Sequence, residues 1–162
     1  MITELNIGHA DAKIAADAVL KATAGRTPPI AVAIVDGRGE VVYLARQDGA
    51  SAADVRNAER KAYTAAFIGR DTSQYRLQVL GDGRRVADWS DEKVTTLHGG
   101  WTLRRQSQVI GGLGVSGTGN EDRDEQIGLK GAEAHAQIEV DEWLKKRDPR
   151  KIRDRTGRPA GV

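Results

Sequence analysis

The sequence has no cysteine, a single methionine at its first position, four prolines and one phenylalanine among 162 residues. Without a thiol there is no disulfide, no thiolate nucleophile, no iron–sulfur cluster and no cysteine-ligated zinc. Aromatic residues make up only 4% of the chain, so its core rests on small aliphatic side chains. No apolar run approaches the ~20 residues of a membrane-spanning helix. The opening Met1-Ile2-Thr3-Glu4-Leu5-Asn6 lacks both the basic and the apolar stretch of a secretory signal. The expectation is a cytoplasmic protein with no membrane partner.

What is present fits one globular domain: 39% hydrophobic and 30% charged residues at a length near the common domain size. The net charge of +2 is unevenly placed. From Lys145 to Val162 eight Lys/Arg stand against two Asp/Glu, a net of +6, and the remainder has 17 against 21, a net of −4. The chain divides into a mildly acidic body, residues 1–146, and a basic C-terminal tail, residues 147–162. The tail has no interleaved aromatics and no nucleic-acid module beside it, so it reads as a solvated extension rather than a nucleic-acid contact.

Helical periodicity predicts a first helix over about 10–24, with Ile14, Ala15, Ala18, Val19 and Ala22 as its apolar stripe and Asn6 as its N-cap. Pro29 to Val35 is a continuous apolar run of strand length. Asp36-Gly37-Arg38-Gly39 turns the chain, and Glu40 to Arg46 returns, apolar on both faces. An alanine-striped helix follows over about 53–68, then a short one over 72–80 and a polar loop from Gly81 to Asp91. Lys93 to Leu97 reads as a strand. His98-Gly99-Gly100 turns into a second hairpin, Trp101–Arg105 with Gln108–Ser116, and a final helix reaches about Lys146. Neighbouring strands joined this tightly require an antiparallel sheet.

Gly112-Leu113-Gly114-Val115-Ser116-Gly117 matches the dinucleotide pattern G-x-G-x-x-G. Its glycines lie largely within a strand and no further strand follows, so it reads instead as a place where a helix or another backbone approaches closely. The three histidines, His9, His98 and His135, share no element at metal-ligand spacing. His135 neighbours the buried side of the last helix, whereas His98 precedes two glycines at a strand edge, where backbone can approach a ligand. Arg46 and Asp48 end the second strand and Lys61 lies within the second helix. A guanidinium there is able to clamp a carboxylate through two parallel hydrogen bonds.

These blocks together resemble the GlcG/HbpS-like family, often called haem-binding or haem-degrading, which includes the C-terminal domain of PduO-type proteins. The matching residues are Pro29 to Asp36 with Gly39, Arg46-Gln47-Asp48-Gly49-Ala50, Lys61 to Ala66, His98-Gly99-Gly100, and Val109 to Gly117 followed by Asp124. The resemblance spans roughly residues 5–140. It implies an α/β (α+β) fold, a profilin-like three-layer α/β/α sandwich around a five-stranded antiparallel sheet, with self-association into homo-oligomers. It also implies haem, a corrinoid or another planar ligand near the His98-Gly99-Gly100 loop. Members usually carry Gly-Gly-Val-Pro where this chain has Gly99-Gly100-Trp101-Thr102, a change that reshapes the loop.

Two readings follow. In the first the chain binds such a small molecule through Arg46, Asp48, Lys61, His98, Gly99, Gly100 and Trp101, with His9 or His98 as haem axial ligand. In the second it is a catabolic enzyme for a small carboxylate or carbonyl compound. There Arg46 clamps the anion, Asp48 or His98 serves as acid/base, and the glycine amides hold developing negative charge.

Overall fold

A computed structural model of the chain describes residues 5–147. The expected basic tail, apart from Arg147, lies outside them. The elements are α1 (His9–Thr23), β1 (Ala31–Asp36), β2 (Val41–Arg46), α2 (Ala52–Ile68), α3 (Thr72–Gly81), a 3-10 turn at Val86–Asp88, β3 (Gly100–Arg105), β4 (Gln108–Ser116) and α4 (Glu121–Lys146). The strands form one antiparallel sheet in the order β2-β1-β4-β3.

The sheet therefore has four strands among the described residues, not five. Lys93 to Leu97 alternates like a strand, but its backbone is tied to α2 instead of to a neighbouring strand. The Thr95 amide donates to Thr64 Oγ1 at 2.9 Å, and the Val94 carbonyl accepts from Arg60 at 3.3 Å. A segment whose amides and carbonyls are satisfied by helix side chains has no ladder to join.

Central β1 explains the two-sided apolar run. Ala31, Ala33 and Val35 meet Ala58, Ala62 and Ala66 of α2 on one face. Val32 and Ile34, with Leu113 and Val115 of β4, meet Ala12, Ala15, Ala16 and Val19 of α1 on the other, where Ile127 of α4 joins them. The layers are thus α2 with α3, the sheet, and α1 with α4. Edge strand β2 is covered less than the sequence implies, with Val41 and Leu44 at 49% and 41% exposure.

The close fit of α2 depends on β4. A methyl at Gly114 would lie 2.0 Å from the Ala58 carbonyl oxygen, and one at Gly112 would lie 2.1 Å from that of Ala62. The glycines of the G-x-G-x-x-G match give room to a helix backbone.

Helix ends follow local chemistry. Ser51 and Asp54 form a reciprocal capping box at the start of α2, Gly69 ends it in the left-handed region, and Asn120 caps α4 through the Arg123 amide. The N-cap of α1 is Gly8, not Asn6, whose Oδ1 accepts instead from the Gly37 amide at 3.0 Å. The buried stripe of α1 is Ala12, Ala15, Ala16, Val19 and Thr23, while Ile14 is 47% exposed. Small residues at the i, i+3, i+4, i+7 spacing let α1 approach the sheet and α4 closely, and the bulkiest apolar residue is turned outward.

Candidate functional site

The His98-Gly99-Gly100 turn closes the loop that follows α3 and the 3-10 turn, where the chain enters β3. Gly99 has φ +110° and its carbonyl accepts from the Val115 amide at 3.0 Å. Beneath it passes the side chain of Lys61, 1% exposed, which donates to the Val115 carbonyl at 2.8 Å and to Asp124 Oδ2 at 2.9 Å. The other Asp124 oxygen accepts from the amide and hydroxyl of Thr118 at 3.1 and 2.7 Å. A Cβ at Gly99 would sit 3.3 Å from Lys61 Nζ and 2.9 Å from the Val115 carbonyl oxygen, and one at Gly100 would sit 2.4 Å from the Lys61 carbonyl oxygen. The two glycines are filled from below by α2 and its ion pair, and they serve packing.

Trp101 and Thr102 are also engaged within the protomer. Trp101 donates its indole N–H to the Glu125 carbonyl at 2.9 Å and lies against Gly128 of α4. Thr102 donates through both its amide and its hydroxyl to Asp71 Oδ1, at 2.8 and 3.0 Å.

His98 is the residue of this turn that stays available. Its side chain is 21% exposed, and its Nδ1 lies 3.1 Å from Asp122 Oδ1 and 3.9 Å from Glu125 Oε2. Both acids belong to the first turns of α4, where negative charge complements the helix dipole. One donor atom from each of the three residues falls within 4.8 Å of the others. This grouping is nearly invisible in the sequence, because His98 is more than 20 positions from its partners. The usable signal was an Asp-x-x-Glu spacing at a helix start.

The other expected site residues lie elsewhere. Arg46 stands opposite Ala31 on β2, at one edge of the sheet, whereas Gly100 stands opposite Gly114 on β3, at the other. Three strand spacings of ~4.8 Å, about 14 Å in all, separate these backbones. Arg46 and Asp48 are exposed and make no side-chain hydrogen bond or ion pair among the described residues. One protomer does not bring Arg46 and Asp48 together with His98, and Lys61 belongs to Asp124 and not to them. His9 is exposed in the first turn of α1, with its ring 5.8 Å from that of Tyr43. His135 is buried on α4, and that burial lowers its pKa from the usual 6.5.

Comparison with known proteins agrees with this topology. The family profile of haem-degrading HbpS-like proteins matches residues 7–133. The chain belongs to the HbpS-like family. A doubly substituted HbpS from Streptomyces reticuli is 26% identical, with a TM-score of 0.75 over 82% of this chain and 89% of its own. A PduOC–haem complex is 27% identical, with a TM-score of 0.71 over 80% and 95%. Klebsiella pneumoniae ORFY shares the fold, at 22% identity and a TM-score of 0.76 over 84% and 94%. Among curated protein sequences none matches the chain significantly. No helix among the described residues of this HbpS-like chain is long and apolar enough to cross a membrane.

Proposed function

We propose that the chain binds haem at its surface beside the His98-Gly99-Gly100 turn, with His98 as the iron ligand. Membership of a haem-degrading family and similarity to a PduOC–haem complex support haem as the ligand class. The observation that carries the choice of residue is the 3.1 Å approach of His98 Nδ1 to Asp122 Oδ1. A carboxylate on Nδ1 fixes the tautomer with its proton there and leaves Nε2 as a basic ligand atom, the usual outer-shell arrangement at histidine-ligated metals. The iron supplies the redox and ligand-exchange chemistry, and the protein sets the orientation and basicity of the histidine.

The space behind Gly99 and Gly100 is filled, so His98 would hold a macrocycle from the outer surface, where a second copy of the chain would shield it from water. A homo-oligomer serves this purpose. Val41 and Leu44 on edge strand β2, and Val140, Trp143 and Leu144 near the end of α4, remain exposed for such contacts. Within the cytoplasm such an assembly holds haem as a soluble complex. The test is a haem titration of the purified full-length protein and of His98→Ala, followed by the Soret band.

The cluster of His98, Asp122 and Glu125 supports a second reading, a divalent cation held by one imidazole and two carboxylates. Calorimetry with Fe2+ and Zn2+ on haem-free protein separates the two: cation binding abolished by Glu125→Gln, with haem binding retained, would favour it.

A further inference from the structure

Four of the seven aromatic residues of this alanine-rich chain gather in one place, around a cleft that His98 does not line. Tyr63 stacks on Phe67 with centroids 5.4 Å apart, and Phe67 meets Trp89 edge-on at 6.1 Å. Tyr75 on α3 completes the group. Together with Ile68 and Val79, three of them line a cleft of about 390 Å³ between the end of α2, α3 and the loop after α3. Phe67 and Trp89 are 50% and 39% exposed, which leaves aromatic surface on the wall of a cavity. A chain poor in aromatics gathers four of them here, with Tyr75 buried beside Val79 and Val94.

The polar groups of the cleft leave hydrogen-bonding capacity unused. Tyr75 is 3% exposed, and its hydroxyl makes no hydrogen bond among the described residues. Burial raises the Tyr75 pKa, with the Trp89 side chain and the Arg84 charge pulling the other way, so the phenol stays protonated and is a hydrogen-bond donor without an acceptor. Arg70 and Arg84 also line the cleft, and neither guanidinium has a hydrogen bond or ion pair among the described residues. Asp82 is the single acid in the lining. The arrangement offers one buried donor and two guanidinium groups to an occupant that brings acceptors and negative charge.

We propose that this cleft is a second ligand site, separate from the haem site, for a flat aromatic carboxylate of one or two fused rings. The ring lies against Phe67 and Trp89, and the carboxylate accepts from the Tyr75 hydroxyl with Arg84 and Arg70 as counter-charges. The volume fixes the size class. Small-molecule sites run from ~300 to ~1,000 Å³, and this cleft is at the small end, too small for a tetrapyrrole. The site lies at the C-terminal end of α2, while Lys61, farther up the same helix, anchors the turn that carries His98.

The probe is 2-naphthoate, with uncharged 2-naphthalenemethanol as its match in shape, added to full-length protein and followed by tryptophan fluorescence and calorimetry. Saturable quenching by naphthoate is expected, with at least tenfold weaker binding of the alcohol and loss of quenching in Trp89→Phe. Arg84→Gln should weaken naphthoate about tenfold and leave the alcohol unchanged. Tyr75→Phe should weaken naphthoate at least tenfold while the melting temperature stays level or rises, because it removes an unpaired buried hydroxyl. Haem titration of these variants should match that of the unsubstituted protein. Equal affinity for acid and alcohol, no saturable binding, or a Tyr75→Phe variant that melts lower would overturn the proposal. A changed haem titration would overturn the separateness of the two sites.

Discussion

Lys61 and Asp124 join the two outer layers of the sandwich past the end of the sheet, with Nζ of α2 2.9 Å from Oδ2 of α4 and both residues at least 96% buried. The bond passes under Gly99 and takes in the Val115 carbonyl and Thr118, so it ties the turn that carries His98 to both helices.

Removing one partner leaves a buried charge without its counter-ion, which costs about 3–5 kcal/mol. Lys61→Met and Asp124→Leu should each lower the urea midpoint by a corresponding amount. The double variant should recover most of the loss, because no isolated charge remains. Two single losses that simply add in the double variant would mean that the residues act independently.

Gly114→Ala separates steric from conformational causes. Its methyl would lie 2.0 Å from a carbonyl oxygen of α2, so the helix must lift from the sheet, at a cost of about 3 kcal/mol or more. Gly119→Ala has open space and a φ of +76°, so it should cost only about 1 kcal/mol from left-handed backbone. Thermal melts of the two variants should differ in that order.

Most of the layering was legible in residues, and the exceptions share a cause. Val32 and Ile34 alternate with Ala31 and Ala33 in a run that only a central strand buries, and β1 is central. Gly112 and Gly114 marked the approach of α2 because strand glycines leave room for backbone. The Lys93–Leu97 alternation misled, since period-two patterning does not show whether the partner is a strand or, as here, Thr64 and Arg60 of a helix. Ile14 misled because bulk is not burial where alanines set the distance between helices. His98, Asp122 and Glu125 were hidden by sequence separation, and the anion clamp of Arg46 failed to reach His98 because the strand order β2-β1-β4-β3 puts their strands on opposite edges.

His135 gives the fold a pH dependence of defined sign. Burial holds its pKa below 6.5, with Asp11 and Glu139 pulling it up and Arg105 pushing it down. A histidine harder to protonate in the folded than in the unfolded state leaves stability intact above about pH 6.5 and removes it as pH falls toward the folded value. Urea midpoints should decline through that window, and His135→Leu should flatten the decline. An unchanged slope in the variant would assign the acid sensitivity to other groups.

Association should depend on the body of the protein and not on its basic tail. Pairing of a tail with an acidic surface is weak and screened by salt, whereas exposed apolar residues on β2 and α4 offer area to bury. Protein ending at Lys146 should therefore scatter light as the same oligomer as the full chain. A monomer in low salt would reverse the assignment.

Asp122 should matter to haem without touching it. Loss of an outer-shell carboxylate commonly costs 10–100-fold in metal affinity. Asp122→Ala should weaken haem binding by about that factor with little change in melting temperature, since Asp122 is an exposed side chain.

The most direct test of the whole reading is the Soret band of the full-length protein titrated with haem, set beside His98→Ala and His9→Ala. Saturable binding that is kept in His9→Ala, and that is lost or changed in its ligand-field spectrum in His98→Ala, is the expected result. A His98→Ala protein that binds haem with the unsubstituted spectrum and affinity would contradict the assignment.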